Sequence, residues 1–455
     1  MPIYPSNPND PQFQSLNGHK HKAYSSRGHT GHTPKPKTFE SRVGGWLPKD
    51  PRAIEQHVSR LLEKVDRERR PIEELHPVIL DFKNLVDTTP ALRRGFTQMF
   101  EQVPIYPPYD KDPSLKPQIR DYDTMFRAFN YIITHSLPHE DHAFVGFPIN
   151  AILNWPMGTE SGLEVFLMPA VNGQFKKMFD VWAEFLSTPA SCQFLTTEDN
   201  GWFGPEARRH LPDFAEIFKC DPSAPYYGFK SWDHFFTREF RDGVRPVEFP
   251  NRDDVINSAC ESTVYKIATD VKEVDSFWLK GSPYSLRHML NNDPYTTQFV
   301  GGTIYQAFLS AYNYHRWASP VNGVIDRVEI IPGAYYSASP AMGFTNPDGP
   351  DPEAQVLSQA YITAVAARAL IWIRCDNPKI GLMGFLAVGM CEVSTCDVTV
   401  KKGDKIKKGE QLGMFHFGGS THCLLFRRGV KVIFDERCLT PEPKVRLNAA
   451  IGVVG

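Results

Sequence analysis

Between Ala53 and Leu186 the apolar residues recur every three or four positions. Ile54, Val58, Leu61, Leu62 and Val65 form one such stripe, and Asp50-Pro51 just ahead of it suits a helix start. The same period runs through Ile72 to Val86, Ala91 to Phe100, Tyr122 to Ile133 and Leu163 to Leu186. Stripes of this kind are core faces, so the chain from Trp46 to about Phe218 reads as helical, with no catalytic constellation in it. After Asp221 the texture changes. Pro222, Pro225 and Tyr226-Tyr227-Gly228 mark a loop, and Ser231 is placed to cap a short helix. Short strand-like runs then alternate with turns: Val255-Ile256, Thr263 to Ile267, Phe277 to Leu279, Ile304 to Leu309, Gly323 to Ile331 and Ala369 to Cys375. Met383 to Val393, Val398 to Val400, Gln411 to Phe417, Thr421 to Phe426 and Val430 to Phe434 follow, and Asp376-Asn377-Pro378-Lys379 joins two of the runs as a hairpin. The pattern predicts an α+β protein: a helical N-terminal domain over 46–220, then a β-rich domain over 221–455 with a sandwich or barrel core. Residues 1–45 carry no apolar period and are rich in Pro, Ser, Asn, Gly, His and Lys, the composition of a disordered tail.

Composition adds exclusions. At 455 residues there is length for two domains, and 41% apolar with 22% charged residues is ordinary for a globular protein. A net charge of −2 gives no reason to expect nucleic acid or an acidic membrane surface as a partner. The lysines of the Lys401–Gly413 stretch alternate with strand positions and read as a solvated hairpin face. Eight cysteines without a CxxC pair read as reduced thiols and point to a cytoplasmic protein. Met1 to Lys37 holds no apolar leader, and no run reaches the roughly 18 apolar residues of a membrane span. His19, His21, His29 and His32 have metal-like spacing but no Cys or carboxylate with them, so no metal site is expected.

The stretch that carries chemistry is Phe415-His416-Phe417-Gly418-Gly419-Ser420-Thr421-His422-Cys423-Leu424-Leu425-Phe426. Two apolar runs flank a Gly-Gly-Ser that, taken alone, is a tight turn. A serine hydroxyl held against the carbonyl before it can also attack its own backbone. An N→O acyl shift then gives an ester, and elimination leaves a pyruvoyl group, a carbonyl electrophile able to condense with an amine substrate. Cys423 reads as a small buried hydrophobe, and Tyr314, Trp317, Phe415 and Phe417 as core aromatics.

The β-rich half resembles the phosphatidylserine decarboxylase family of pyruvoyl-dependent enzymes. The resemblance rests on blocks in one order: Ser231 to Arg238 with Arg245-Pro246, Lys280 to Leu286, Tyr314-His315-Arg316-Trp317, Pro320 to Gly323, and Pro332-Gly333. Val388-Gly389, Lys402-Gly403-Asp404, Gly413-Met414-Phe415 and Phe417 to Thr421 complete it. The helical half, with Asp221 to Phe229 and Leu290 to Pro294, is similar to a soluble fungal branch of the family that includes a tryptophan decarboxylase. The resemblance implies cleavage between Gly419 and Ser420, a covalent pyruvoyl cofactor made from Ser420, and two pieces that remain associated. The implied activity is decarboxylation of a free aromatic L-amino acid, a small-molecule partner, to its amine and CO₂.

Within the family's Asp-His-Ser triad, Ser420 matches the serine and His315 the histidine, while Glu261 stands where the family has aspartate. A second histidine of the family's motif is replaced by Ala318, which leaves its proton-transfer role to His315, His416, His422 or a water. Two competing readings stand beside this one: a phosphatidylserine decarboxylase, and a non-catalytic module silenced by the changes at Ala318 and Glu261. A serine hydrolase is disfavoured because Ser420 lacks the Gly-x-Ser-x-Gly elbow.

Overall fold

The computed structural model describes residues 52–68, 70–104, 119–139, 148–275, 284–310, 312–340, 343, 358–392, 394–440 and 444–455. The predicted tail, its four histidines, the run Phe277 to Leu279 and the segment Lys280 to Pro283 lie outside them. All described residues belong to one compact unit.

Among the described residues seven longer helices precede the sheets: α1 Arg52–Glu68, α2 Pro77–Thr88, α3 Pro90–Glu101, α4 Tyr122–Thr134, α5 Pro148–Met157, α6 Glu160–Leu167 and α7 Pro169–Leu186. The single stripe expected over Leu163 to Leu186 is split in two, because Pro169 cannot donate to the preceding turn and instead starts α7. The period missed α5, which is buried along its whole length and so shows no polar face to read. Phe82, the aromatic hub of this layer, meets Phe96, Phe126 and Phe175 edge-on.

The strands are β1 Val255–Asn257, β2 Thr263–Ala268, β3 Thr303–Leu309, β4 Arg316–Ala318, β5 Gly323–Ile331, β6 Arg368–Cys375 and β7 Leu382–Met390. They continue as β8 Cys396–Val398, β9 Lys405–Ile406, β10 Gln411–Phe415, β11 Gly419–Phe426, β12 Val432–Phe434 and β13 Ala450–Val454. The large sheet has the order β2-β3-β11-β7-β6-β5-β9, and two small sheets run β4-β10-β8 and β1-β13-β12. All the pairings between these strands are antiparallel, and β6 and β7 form the hairpin expected at Asp376–Lys379. β4, β9 and β13 have no counterpart among the predicted runs.

The large sheet is covered on both faces. Leu370, Trp372, Leu386, Val388, Cys423 and Leu425 join the helices in one core. The alternate residues, among them Ile371, Phe385, Leu424 and Phe426, pack with Trp317 and Phe415 of the small sheets in a second. The helical and β-rich portions therefore share a core.

Ser231 caps the helix Trp232–Phe236, its Oγ accepting the His234 N–H at 3.0 Å. Ser231→Ala is expected to cost about 1 kcal/mol, read as a lower urea midpoint at unchanged slope.

Candidate active site

β11 lies mid-sheet between β3 and β7, and all eight of its residues are buried. Ser420 stands in register with Leu309 on one side and Gly389 on the other. The pleat puts Ser420 and His422 on the same face as Leu424 and Phe426, toward the small sheets. The tight turn expected at Gly-Gly-Ser is confined to a bend at Phe417-Gly418, whereas Gly419 and Ser420 are already ladder residues. The runs on either side consequently belong to different sheets rather than to one hairpin. Gly418 has φ 150°, and a Cβ there would sit 2.4 Å from Ser394 Oγ.

Three buried groups near this bend lack hydrogen bonds of good geometry: Ser420 Oγ, both ring nitrogens of His315, and both of His422. Their proximity follows from the chain path. The Phe415 N–H donates to the His315 carbonyl at 2.9 Å, and His422 is two residues beyond Ser420. No hydrogen bond joins Ser420 to either histidine in this structure. The His315 ring stacks on Phe236 with centroids 4.1 Å apart. Burial, helped by the charge of Arg238, pushes its pKa down to about 3, against a small opposing pull from the Asn313 backbone. Burial pushes His422 down to about 3 as well. Both rings are therefore neutral near pH 7, and burial makes each a weak base. Each buried polar atom without a partner calls for an explanation, and others occur away from this bend, among them Trp182 Nε1 and Gln359 Oε1.

Glu261 is placed elsewhere. The Arg245 fork holds its carboxylate, with Nη2–Oε1 at 2.6 Å and Nε–Oε2 at 3.1 Å, and the Leu447 N–H donates to it at 2.7 Å. It does not bond His315. Its link to that histidine is indirect: the Arg245 guanidinium lies over Phe240, which stacks at 4.1 Å on Tyr314, the neighbour of His315. His416 is paired, its Nδ1 lying 2.8 Å from Asp233 Oδ1. Burial of His416 works toward a lower pKa, but the bond and charge of Asp233 outweigh it and hold the pKa above the usual value. Burial raises the Cys423 thiol well above its ordinary range, which leaves it inert.

Sequence reasoning missed the segment after β7. Met383 to Val393 reads as one strand, but pairing ends at Met390. Cys391, Glu392 and Ser394 have φ of 59°, 27° and 39°, a left-handed region that non-glycine residues rarely enter. The Glu392 carboxylate is fully buried. It accepts the Ile149 and Asn150 N–H groups at the start of α5, both at 3.1 Å, and the Tyr336 hydroxyl at 3.1 Å. Burial pushes its pKa up to about 8, against the pull of those three donors. The one available signal was a carboxylate inside an otherwise apolar run.

Among the described residues no group of His, Cys, Asp and Glu is arranged to hold a metal ion. Nor is any of their helices long and apolar enough to cross a membrane.

Family models described as phosphatidylserine decarboxylase match residues 76–211 and 232–453. The chain is 46% identical over 323 residues to the decarboxylase iboD of Amanita muscaria, covering 68% of this chain and 91% of that protein. It is 34% identical over 440 residues to the L-tryptophan decarboxylase of Psilocybe cubensis, covering 92% of this chain and 96% of that one. A phosphatidylserine decarboxylase proenzyme of Schizosaccharomyces pombe is 30% identical over 226 residues, half of this chain and 22% of its own length. With both of its halves matched and a fungal decarboxylase aligned over 92% of it, the chain belongs to the phosphatidylserine decarboxylase family and is a carboxy-lyase.

Proposed function

We propose that the chain cuts itself between Gly419 and Ser420 and then decarboxylates a free aromatic L-amino acid, tryptophan-like in size, using a pyruvoyl cofactor derived from Ser420. The observation that carries this reading is the buried Ser420 hydroxyl, without a hydrogen bond and following two glycines, beside two neutral histidines whose rings make no hydrogen bond of good geometry. His315 takes the hydroxyl proton, and Oγ attacks the Gly419 carbonyl carbon. The bond to the Ser420 nitrogen breaks as that nitrogen is protonated, leaving an ester. Loss of the Ser420 α-proton expels the Gly419 carboxylate from Cβ, and water then replaces the α-nitrogen, which leaves as ammonia. Thr421 to Phe426 stay hydrogen-bonded between β3 and β7 of the larger piece, which keeps the two products together.

The pyruvoyl group supplies a sink for the electrons left when CO₂ departs. With Ala318 in place of the family's second histidine, His315 is also assigned the return of a proton to the substrate α-carbon. Glu261 acts at one remove, fixing Arg245 and, through Phe240, the Tyr314-His315 segment. A cavity of about 440 Å³ between α7 and the ends of β5 and β6 supports the substrate class. Phe179, Tyr335 and Ile331 give it aromatic and apolar walls, Lys176 and Asp180 line it as an ion pair with Nζ–Oδ2 at 2.7 Å, and Ser394 borders both it and the Gly419 carbonyl. Its size is in the range of small-molecule sites. The likeness to an L-tryptophan decarboxylase supports the same class.

Intact mass of the purified chain tests the proposal. Two fragments are expected, the smaller beginning at position 420 with a blocked N-terminus, while Ser420→Ala stays in one piece and is inactive. Tryptophan, tyrosine, phenylalanine and phosphatidylserine offered in parallel, with CO₂ followed, test the substrate. An uncut chain that still releases CO₂, or release from the lipid alone, would refute it.

A further inference from the structure

Ser394 packs against the peptide that the proposed self-cleavage breaks, and it does so through contacts independent of one another. Its N–H donates to the Phe417 carbonyl at 2.7 Å. Its Oγ lies 3.3 Å from the Gly419 carbonyl oxygen. Two glycines make room for it. A Cβ on Gly418 would meet Ser394 Oγ at 2.4 Å and its nitrogen at 2.8 Å, and a Cβ on Gly389 would meet Ser394 Cβ at 2.8 Å. Gly389 is the register partner of Ser420 on β7, so Ser394 covers the same side of the sheet that carries the Ser420 hydroxyl.

We infer that Ser394 is a catalytic residue of the self-cleavage: its hydroxyl donates to the Gly419 oxygen as that oxygen becomes an oxyanion under attack by Ser420. This rests on the self-cleaving reading proposed above. In the resting chain the hydroxyl has one proton and several acceptors. The Met390 carbonyl at 2.6 Å and the Cys391 carbonyl are both closer than the Gly419 oxygen. Hydrogen bonds to charged acceptors are roughly twice as strong as neutral ones, so the proton turns toward Gly419 when negative charge gathers there. Bonding that strengthens only in the transition state lowers the barrier without over-stabilising the uncut chain.

The helical half sets this donor in place. Ser394 sits at φ 39° in a segment with Cys391 and Glu392 also left-handed, costly conformations that persist only where neighbours enforce them. The enforcement is visible at Glu392, whose carboxylate is tied to the first turn of α5 and to Tyr336. A helix that is remote in sequence from the cut bond thereby fixes the loop beside it.

The test uses the full chain made by cell-free synthesis, with the loss of the intact species followed by gel and mass. Removing a single oxyanion donor typically slows a reaction about 10²–10³-fold, and that slowing is expected for Ser394→Gly. Glycine is at ease at φ 39°, so the variant removes the hydroxyl without adding backbone strain. Ser394→Thr keeps the hydroxyl but puts a β-branched residue at a conformation it dislikes, and it is expected to process faster than Ser394→Gly. The order threonine faster than glycine supports the hydroxyl. The reverse order would mean that backbone comfort governs, and would overturn the assignment. Wild-type chain cut while Ser394→Gly is cut equally fast overturns the Ser394 role alone, whereas wild-type chain that is never cut removes the self-cleaving reading and Ser394's part together.

Discussion

Replacing His315 by glutamine slows conversion of the full-length chain into two fragments by about 10²–10⁴-fold, the range that a positioned general base supplies. Glutamine keeps the length and a polar end but cannot take up a proton at these pH values. The wild-type rate is expected to be level from about pH 5 to 9, with no inflection near 6.5, because burial keeps the folded His315 neutral until about pH 3. A base that weak is a poor match to a serine hydroxyl. The reaction must therefore draw on placement: a bend at Gly418 that only glycine fits, a hydroxyl with no competing hydrogen bond, and rings that water does not reach. His422 is the control, being equally buried, equally neutral and on the same strand as Ser420. His422→Gln is expected to process within about tenfold of wild type, below the range a general base supplies. Loss of cleavage in His422→Gln with retention in His315→Gln would transfer the base to His422. A clear inflection near pH 6.5 would show that the working histidine is not buried as described.

Much of the β-rich half was legible because its strands are long enough to show alternation, or continuous burial, between turn residues. Gly323 to Ile331 was delimited to the residue for that reason. β4 was not, since three residues carry no period, although Trp317 and Ala318 within it stand beside the site. The Gly-Gly-Ser pointed to the right place with the wrong local geometry: the bend precedes Gly419, because Ser394 fills the space that a side chain at Gly418 would need. Glu261 shows how far a one-dimensional match reaches. The sequence supplies a carboxylate at the expected position, but Arg245, 16 residues earlier, folds back to take it, and only three-dimensional packing reveals that. Glu392 and Ser394 were hidden for the opposite reason. Their partners at Ile149, Asn150 and Gly419 are too distant along the chain for any local pattern to join them.

The uncut Ser420→Ala chain is expected to be most stable near pH 6.5, with stability falling on both sides. On the acid side the two buried histidines govern. An unfolded histidine takes a proton below about 6.5, whereas folded His315 and His422 refuse one until about 3. Each therefore removes about 1.4 kcal/mol of stability per pH unit as the pH falls through that window. Glu392 works in the opposite sense. Unfolded it loses its proton near 4.5, but folded it holds one to about 8, so its term falls as pH rises between those values. From 4.5 to 6.5 two histidines outweigh one carboxyl and the net slope is upward. Above 6.5 the histidine terms are spent, and Glu392 alone costs on the order of 2 kcal/mol by pH 8. His416, whose folded pKa is raised, adds to that loss as the pH passes through it. Lys408, lowered to about 8 by burial, matters only above that pH, and the surface carboxylates Asp221, Asp254 and Asp435 matter only below about 4. Urea midpoints of Ser420→Ala and of the Ser420→Ala/Glu392→Gln double variant, measured from pH 4 to 8, give the comparison. Glutamine has no proton to lose, so most of the alkaline fall should vanish in the double variant while the acid fall stays. An alkaline limb unchanged by Glu392→Gln would mean that the carboxylate is ionised in the folded chain, its charge held by the Ile149 and Asn150 N–H groups and the start of α5.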